Sequence, residues 1–204
     1  MASKSIYEKV LEEFHQLHPM LQKRYQIRSG DSITAKGTMN RITGGPKWLY
    51  PLWIISTRFK LFFPERGEHI PFTITNRAFQ TDKGIEKVYW ERAFHFPKKI
   101  RYFNATMSMD PNHHIIKDYL GDPSLLYSDL NLVVESDGGI TIRSVKQRFV
   151  IGKLEIPLLK WMYGVATVKE TYDEDIEAFT ISVHVHNRII GTVFAYEGVF
   201  QIDE

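Results

Sequence analysis

The chain has 204 residues, 43% hydrophobic and 25% charged, with 26 Lys plus Arg against 24 Asp plus Glu. This suits one globular domain of above-average size, and a net charge of +2 without a long like-charge run argues against a nucleic-acid partner. The absence of cysteine excludes disulfides, thiolate nucleophiles and thiolate metal ligands.

The N-terminal stretch MASKSIYEKVLEE has no apolar core of signal-peptide type. Ser5-Ile-Tyr-Glu8 reads as a capping box, in which Ser and Glu each satisfy an otherwise orphaned backbone N–H. Behind it Ile6, Val10, Phe14, Leu17 and Leu21 recur at spacings of three and four, which predicts a helix over 5–18. Pro19 breaks or restarts it, so a short second helix is expected to end near Arg24.

From Ile33 onwards the period is two. Candidate strands are 33–42, 70–80, 86–96, 99–109, 114–120, 125–135, 140–151, 165–172, 177–187 and 192–202. Turn signals such as Asp82-Lys-Gly84, Asp110-Pro-Asn112 and Asp137-Gly-Gly139 separate them. Short turns mean an antiparallel meander, because parallel strands need long crossovers. Twist accumulates over so many strands until the sheet curls, splits or closes. The expected fold is therefore mainly β (α+β): a strongly curved antiparallel sheet forming a barrel or half-barrel of about ten strands, with an N-terminal helix. A single domain is expected over 1–204, with a helical segment at 1–28 and the meander at 33–204. Two apolar insertions interrupt it, near 46–63 and 154–164.

Alternation along WERAFHFP places Val88, Trp90, Arg92, Phe94 and Phe96 on one face, so a guanidinium sits in a row of large apolar side chains. By the same parity Arg41 follows Ala35, Gly37 and Met39, and Arg148 runs with Ile140 and Ile142. A charge taken inside must be paired or hydrogen-bonded, and Arg cannot shed its proton. One reading makes these Arg side chains structural, paired with Glu91, Glu135, Glu170 or Glu197 or stacked on Trp90. The other is a lipocalin-like cavity for a small amphipathic ligand, a fatty acid or similar lipid. Met39, Trp90, Phe94 and Met107 then supply the wall, and Arg41, Arg92 and Arg148 receive the polar end.

An enzyme using Glu91, Asp118 or Glu197 is the less favoured alternative, since no carboxylate pair is signalled. GTMNRITGG lacks the Lys-Ser/Thr ending of a P-loop, and neither a GXSXG nor a GXGXXG motif occurs, so no cofactor is expected. His184 and His186 share the polar face of their strand and are expected to face solvent, without a metal. The most apolar window, 47–63, is interrupted by Pro51, Arg58 and Lys60 and falls short of the ~20 apolar residues of a membrane span. A soluble, cytoplasmic chain is expected. The insertions read as lids or plugs, or as a peripheral membrane contact through Trp48, Trp53, Phe62 and Trp161 with nearby Lys and Arg.

Several segments, in order, resemble a bacterial family catalogued as domain of unknown function 4166. They are GTMNRITGG (37–45), LFFPERGEHIPFTITN (61–76), VYWERAFHFP (88–97), the run FNATM (103–107), IIKDYLG (115–121), IRSVKQRF (142–149) and GTVFAYEGVF (191–200). The family occurs as stand-alone chains, at the C-terminus of YndJ-type membrane proteins, and after NAD-binding domains similar to saccharopine dehydrogenase. The resemblance implies one domain in a bacterial cytoplasm and brings no assigned activity or catalytic residue. Those fusion partners point towards an apolar or membrane-associated molecule.

Overall fold

The computed structural model describes residues 4–203. Ser5 caps helix α1 (Ile6–Val10): Ser5 Oγ accepts from the Glu8 N–H at 3.2 Å, and Glu8 Oε2 accepts from the Ser5 N–H at 2.8 Å. The capping box forms, but the helix expected over 5–18 does not. The backbone turns extended at Leu11, and a single 3-10 turn (Phe14–Gln16) follows. Ile6, Phe14, Leu17 and Leu21 are all buried nonetheless. Segments this short depend on tertiary packing rather than on their own periodicity, so burial overrides the helical register. Helix α2 (Pro19–Tyr25) starts on Pro19, whose missing N–H costs nothing in a first turn.

Twelve strands follow: β1 (Ser32–Gly44), β2 (Gly67–Gln80), β3 (Glu86–Phe96), β4 (Lys99–Tyr102), β5 (Ala105–Asp110), β6 (Ile115–Gly121), β7 (Ser124–Val134), β8 (Ile140–Ile151), β9 (Leu154–Pro157), β10 (Gly164–Asp173), β11 (Ala178–Asn187) and β12 (Gly191–Ile202). The expected strand 99–109 is split into β4 and β5. At the break Phe103 N–H still bonds to Arg92 O, in register with β3, whereas Asn104 N–H turns away to Lys60 O. Ten strands pair antiparallel in the order β1-β2-β3-β5-β6-β7-β8-β10-β11-β12, and β12 pairs back onto β1. The sheet is a closed ten-stranded barrel; β4 pairs the upper part of β3 in the same register as β5, and β9 pairs the end of β8.

Closure is least regular between β8 and β10, where backbone pairing covers only Ile140–Arg143 against Thr167–Glu170. Above that point side chains take over. Gln147 donates to Gly164 O at 2.7 Å and accepts from Gly164 N–H at 2.9 Å, while Ser144 Oγ accepts from Ala166 N–H at 2.8 Å. Elsewhere in the wall β1 and β12 run so close that a Cβ on Gly37 would lie 2.0 Å from Val199 O, and one on Gly198 2.2 Å from Thr38 O. Only glycine fits there.

The ladders contain four register shifts, and two of them redirect the side chains of arginines. One falls at Asn40 in β1, between the pairs Met39–Gly198 and Arg41–Glu197. The other falls between β7 and β8, where Ser128 pairs with Gln147 but Leu130 with Ser144. Each shifts the inward parity by one residue.

The lower barrel end is closed by α1 and α2. Arg24 of α2 enters the barrel, its Nε 2.5 Å from Glu170 Oε1 and its guanidinium over the Phe200 ring. On the β1–β2–β12 side the interior is filled by rings: Phe72, Phe94, Phe194, Tyr196 and Phe200 stack in edge or tilted contacts. On the β5–β8 and β10–β11 side the inward residues are mostly aliphatic. The upper end carries helix α3 (Tyr50–Ser56), flanked by 3-10 turns, and the 3-10 turn Lys160–Met162. Among the described residues no helix is long and apolar enough to cross a membrane.

Candidate functional site

The aliphatic half of the barrel is not filled. It leaves a cavity of about 850 Å³, inside the range of roughly 300–1,000 Å³ typical of small-molecule sites. Met107 of β5, Leu130 of β7, Ile142 of β8, Val168 of β10 and Ile181 of β11 line its depth; α3 roofs it with Leu52, Trp53 and Ser56. The mouth lies at the upper end. There Trp48, Leu52, Trp161 and Ile189 line the cavity and are also 66%, 54%, 56% and 71% exposed.

Arg92 and Asp118 are the charged residues of this lining. Arg92 projects inward from β3 as strand alternation predicts, and is 6% exposed. Its Nε donates to Phe103 O at 2.6 Å, its Nη1 to Tyr196 OH at 3.4 Å, and its guanidinium lies 4.2 Å from the centre of the Phe103 ring. None of the glutamates considered as ion-pair partners holds it. Glu170 belongs to Arg24, Glu91 lies 3.7 Å from Arg77, and Glu197 is exposed. The guanidinium is thus positioned by a carbonyl, a hydroxyl and a ring, all neutral, and no carboxylate forms an ion pair with it.

Asp118 projects inward from β6 between Met107 and Ser128 and is 5% exposed. Its Oδ1 is buried without a hydrogen-bond partner. Burial pushes the carboxyl up to about 7, and the Arg92 charge opposes that shift without cancelling it. Below it Tyr7 of α1 accepts from Trp90 Nε1 at 2.9 Å and donates to Met107 Sδ at 3.3 Å. Trp53 Nε1 and Ser56 Oγ in the roof are likewise buried and unpartnered. Gln147, Ser144 and Asn187 also line the cavity, but their polar atoms are engaged with backbone.

Of the seven residues proposed from sequence, Trp90, Arg92 and Met107 reach the cavity. Met39 and Phe94 point inward and are fully buried, but on the aromatic-filled side, away from the space. Arg41 and Arg148 do not point inward. The bulge at Asn40 turns Arg41 out to solvent and gives the inward place to Ile42. The bulge before Gln147 turns Arg148 outward, where it meets Glu155 at 2.6 Å and the Tyr127 ring, and Phe149 lines the cavity instead. Of the insertion residues expected as lid, plug or membrane contact, Trp53 and Phe62 are buried in the roof, their rings 4.9 Å apart, whereas Trp48 and Trp161 are exposed. The acid–base trio Glu91, Asp118 and Glu197 does not converge, since only Asp118 faces the cavity. His184 and His186 lie on the outer face, and no group of three or more metal-ligating side chains is found among the described residues. Asp118 carried a sequence signal, its parity with Ile116 and Leu120; Ser56 carried none, since helix packing alone places it.

Fold and site together define a closed antiparallel β-barrel around a mostly apolar cavity that opens at one end and holds one guanidinium and one carboxyl. The chain belongs to the family described as Domain of unknown function (DUF4166), whose model matches residues 17–200. It is 44% identical over 200 residues to Uncharacterized protein YndH of Bacillus subtilis (strain 168), covering 98% of each chain. Neither description names an activity.

Proposed function

We propose that the barrel binds a small amphipathic molecule, a fatty acid or similar single-chain lipid. In this reading the polar end sits at Arg92 and the chain runs up between the aliphatic walls to the mouth. The observation that carries it is the pairing of an apolar cavity of about 850 Å³ with a buried guanidinium held only by neutral groups. A barrel serving only as a scaffold has no need of that space, and each unfilled pocket in a core costs stability. The test begins with native mass spectrometry of the purified protein, followed by organic extraction. Arg92→Ala is then titrated with a fluorescent fatty acid. Loss of a charge-assisted contact worth about 1.5–3 kcal/mol weakens binding roughly ten- to hundredfold. Unchanged affinity in that variant removes Arg92 as the anchor.

The mouth favours loading at a lipid surface. Its segments at 45–60, 152–163 and 188–190 carry the exposed cations Lys47, Arg58, Lys153, Lys160 and Arg188 beside the exposed Trp48, Ile54, Ile55, Leu159 and Trp161. The acidic residue in these segments, Glu155, is engaged by Arg148 and Tyr119. Aromatic and aliphatic side chains framed by cations match an anionic bilayer surface.

A further inference from the structure

Two charged side chains face one apolar space, and they are held differently. Arg92 is braced by Phe103 and Tyr196, while Asp118 presents a buried, unpartnered oxygen to the same cavity. The two do not meet as an ion pair within 4.0 Å. We infer that Asp118 is the second head-group contact, donating a hydrogen bond as a neutral carboxylic acid, and that the cavity selects a monoanionic amphiphile taken up together with one proton. The inference rests on the ligand reading of the cavity and specifies the charge of its occupant.

The chemistry follows from the groups that face Asp118. From β3 comes the Arg92 cation, and from α1 comes Tyr7, whose hydroxyl burial holds well above its ordinary value and therefore neutral. Its cross-strand neighbours Met107 and Ser128 do not ionise, and Asp129 of β7 is not part of the lining. With Asp118 protonated, a bound carboxylate and Arg92 sum to zero charge. With Asp118 ionised, the same complex carries two anions against one cation in a desolvated space, which is strongly disfavoured. An anionic head thus requires the protonated acid, whereas an uncharged head does not. The tendency of the Asp118 carboxyl to titrate near 7 places this coupling within an accessible range. Uptake involves no covalent step: the proton comes from solvent and resides on an Asp118 oxygen, which donates it in a hydrogen bond to the ligand carboxylate.

The test uses the full chain with dansylaminoundecanoic acid, ionised throughout the range studied, and its uncharged methyl ester. For the acid, affinity is expected to be flat below neutrality and to weaken about tenfold per pH unit above it. For the ester it is expected to stay level. Asp118→Asn keeps a donor but cannot ionise, so its affinity for the acid is expected to be independent of pH and tighter than wild type at pH 9. A second readout needs no variant: calorimetry at pH 8 in buffers of different ionisation enthalpy is expected to show about one proton taken up per acid bound and none per ester. Arg92-dependent binding of the acid with a flat pH profile and no proton uptake overturns the inference and leaves the ligand reading standing. Failure of both acid and ester to bind at any pH overturns both.

Discussion

Arg92 and Asp118 lie on neighbouring parts of one inner wall, yet the protein treats their charges in opposite ways. Arg keeps its charge wherever it is placed, so Phe103 O and Tyr196 OH serve as its acceptors. Asp118 has no such partner on Oδ1 and relieves its burial by holding a proton. Its folded value of about 7 stands above the ordinary 3.8. Between those values the folded chain keeps a proton that the unfolded chain releases, so stability falls as pH rises through this window. Above it the full penalty applies, about 4 kcal/mol at most at 1.36 kcal/mol per unit. Asp118→Asn is therefore expected to raise the thermal midpoint at pH 8.5 and to leave it nearly unchanged at pH 4; an equal effect at both would show that folding does not shift the Asp118 carboxyl. At this scale the sequence was legible where alternation was unbroken. It placed Arg92, Trp90 and Met107 on the cavity wall, and it failed at Arg41 and Arg148, where one extra residue in each strand reverses the face.

At the scale of elements, the barrel depends on details that a hydrophobic pattern does not encode. The β8–β10 seam has a short backbone ladder extended by Gln147 and Ser144. Gln147→Leu leaves the Gly164 N–H and C=O without their partners, and each lost bond of this kind costs about 1–3 kcal/mol when buried. Gly164 is only half-buried, so a loss of about 2 kcal/mol is expected in urea unfolding, with faster hydrogen exchange at Gly164. Unchanged exchange there would mean that the seam does not need the side chain. Strand positions followed the period of two closely, with β3 and β8 spanning the predicted 86–96 and 140–151. An N-terminal helix forms, but not over the expected 5–18, because a stripe at helical spacing is satisfied as well by two short helices and a turn laid against the barrel end. The split between β4 and β5 was equally illegible, since Asn104 N–H leaves the β3 ladder for Lys60 O, far away in sequence.

For the whole molecule, the asymmetry of the ends matters most. One end is sealed by α1, α2 and the Arg24–Glu170 pair; the other presents the exposed Trp48 and Trp161 beside an opening. Burying a large apolar side chain contributes about 1.5–3 kcal/mol, so Trp48→Ser combined with Trp161→Ser is expected to weaken binding to phosphatidylglycerol vesicles at least tenfold. Wild-type protein that stays in the supernatant with anionic vesicles at low salt would end the membrane reading of this face. Alternation, turn chemistry and strand number by themselves determined an antiparallel sheet too large to stay flat, and the parity of β3 determined that Arg92 points inward, because both are local properties of the chain. Whether the sheet closed, which half of its interior filled with rings, and where bulges turned Arg41 and Arg148 away were decided only in the tertiary structure. These depend on contacts between residues far apart in sequence, and a cavity is space that no single residue specifies.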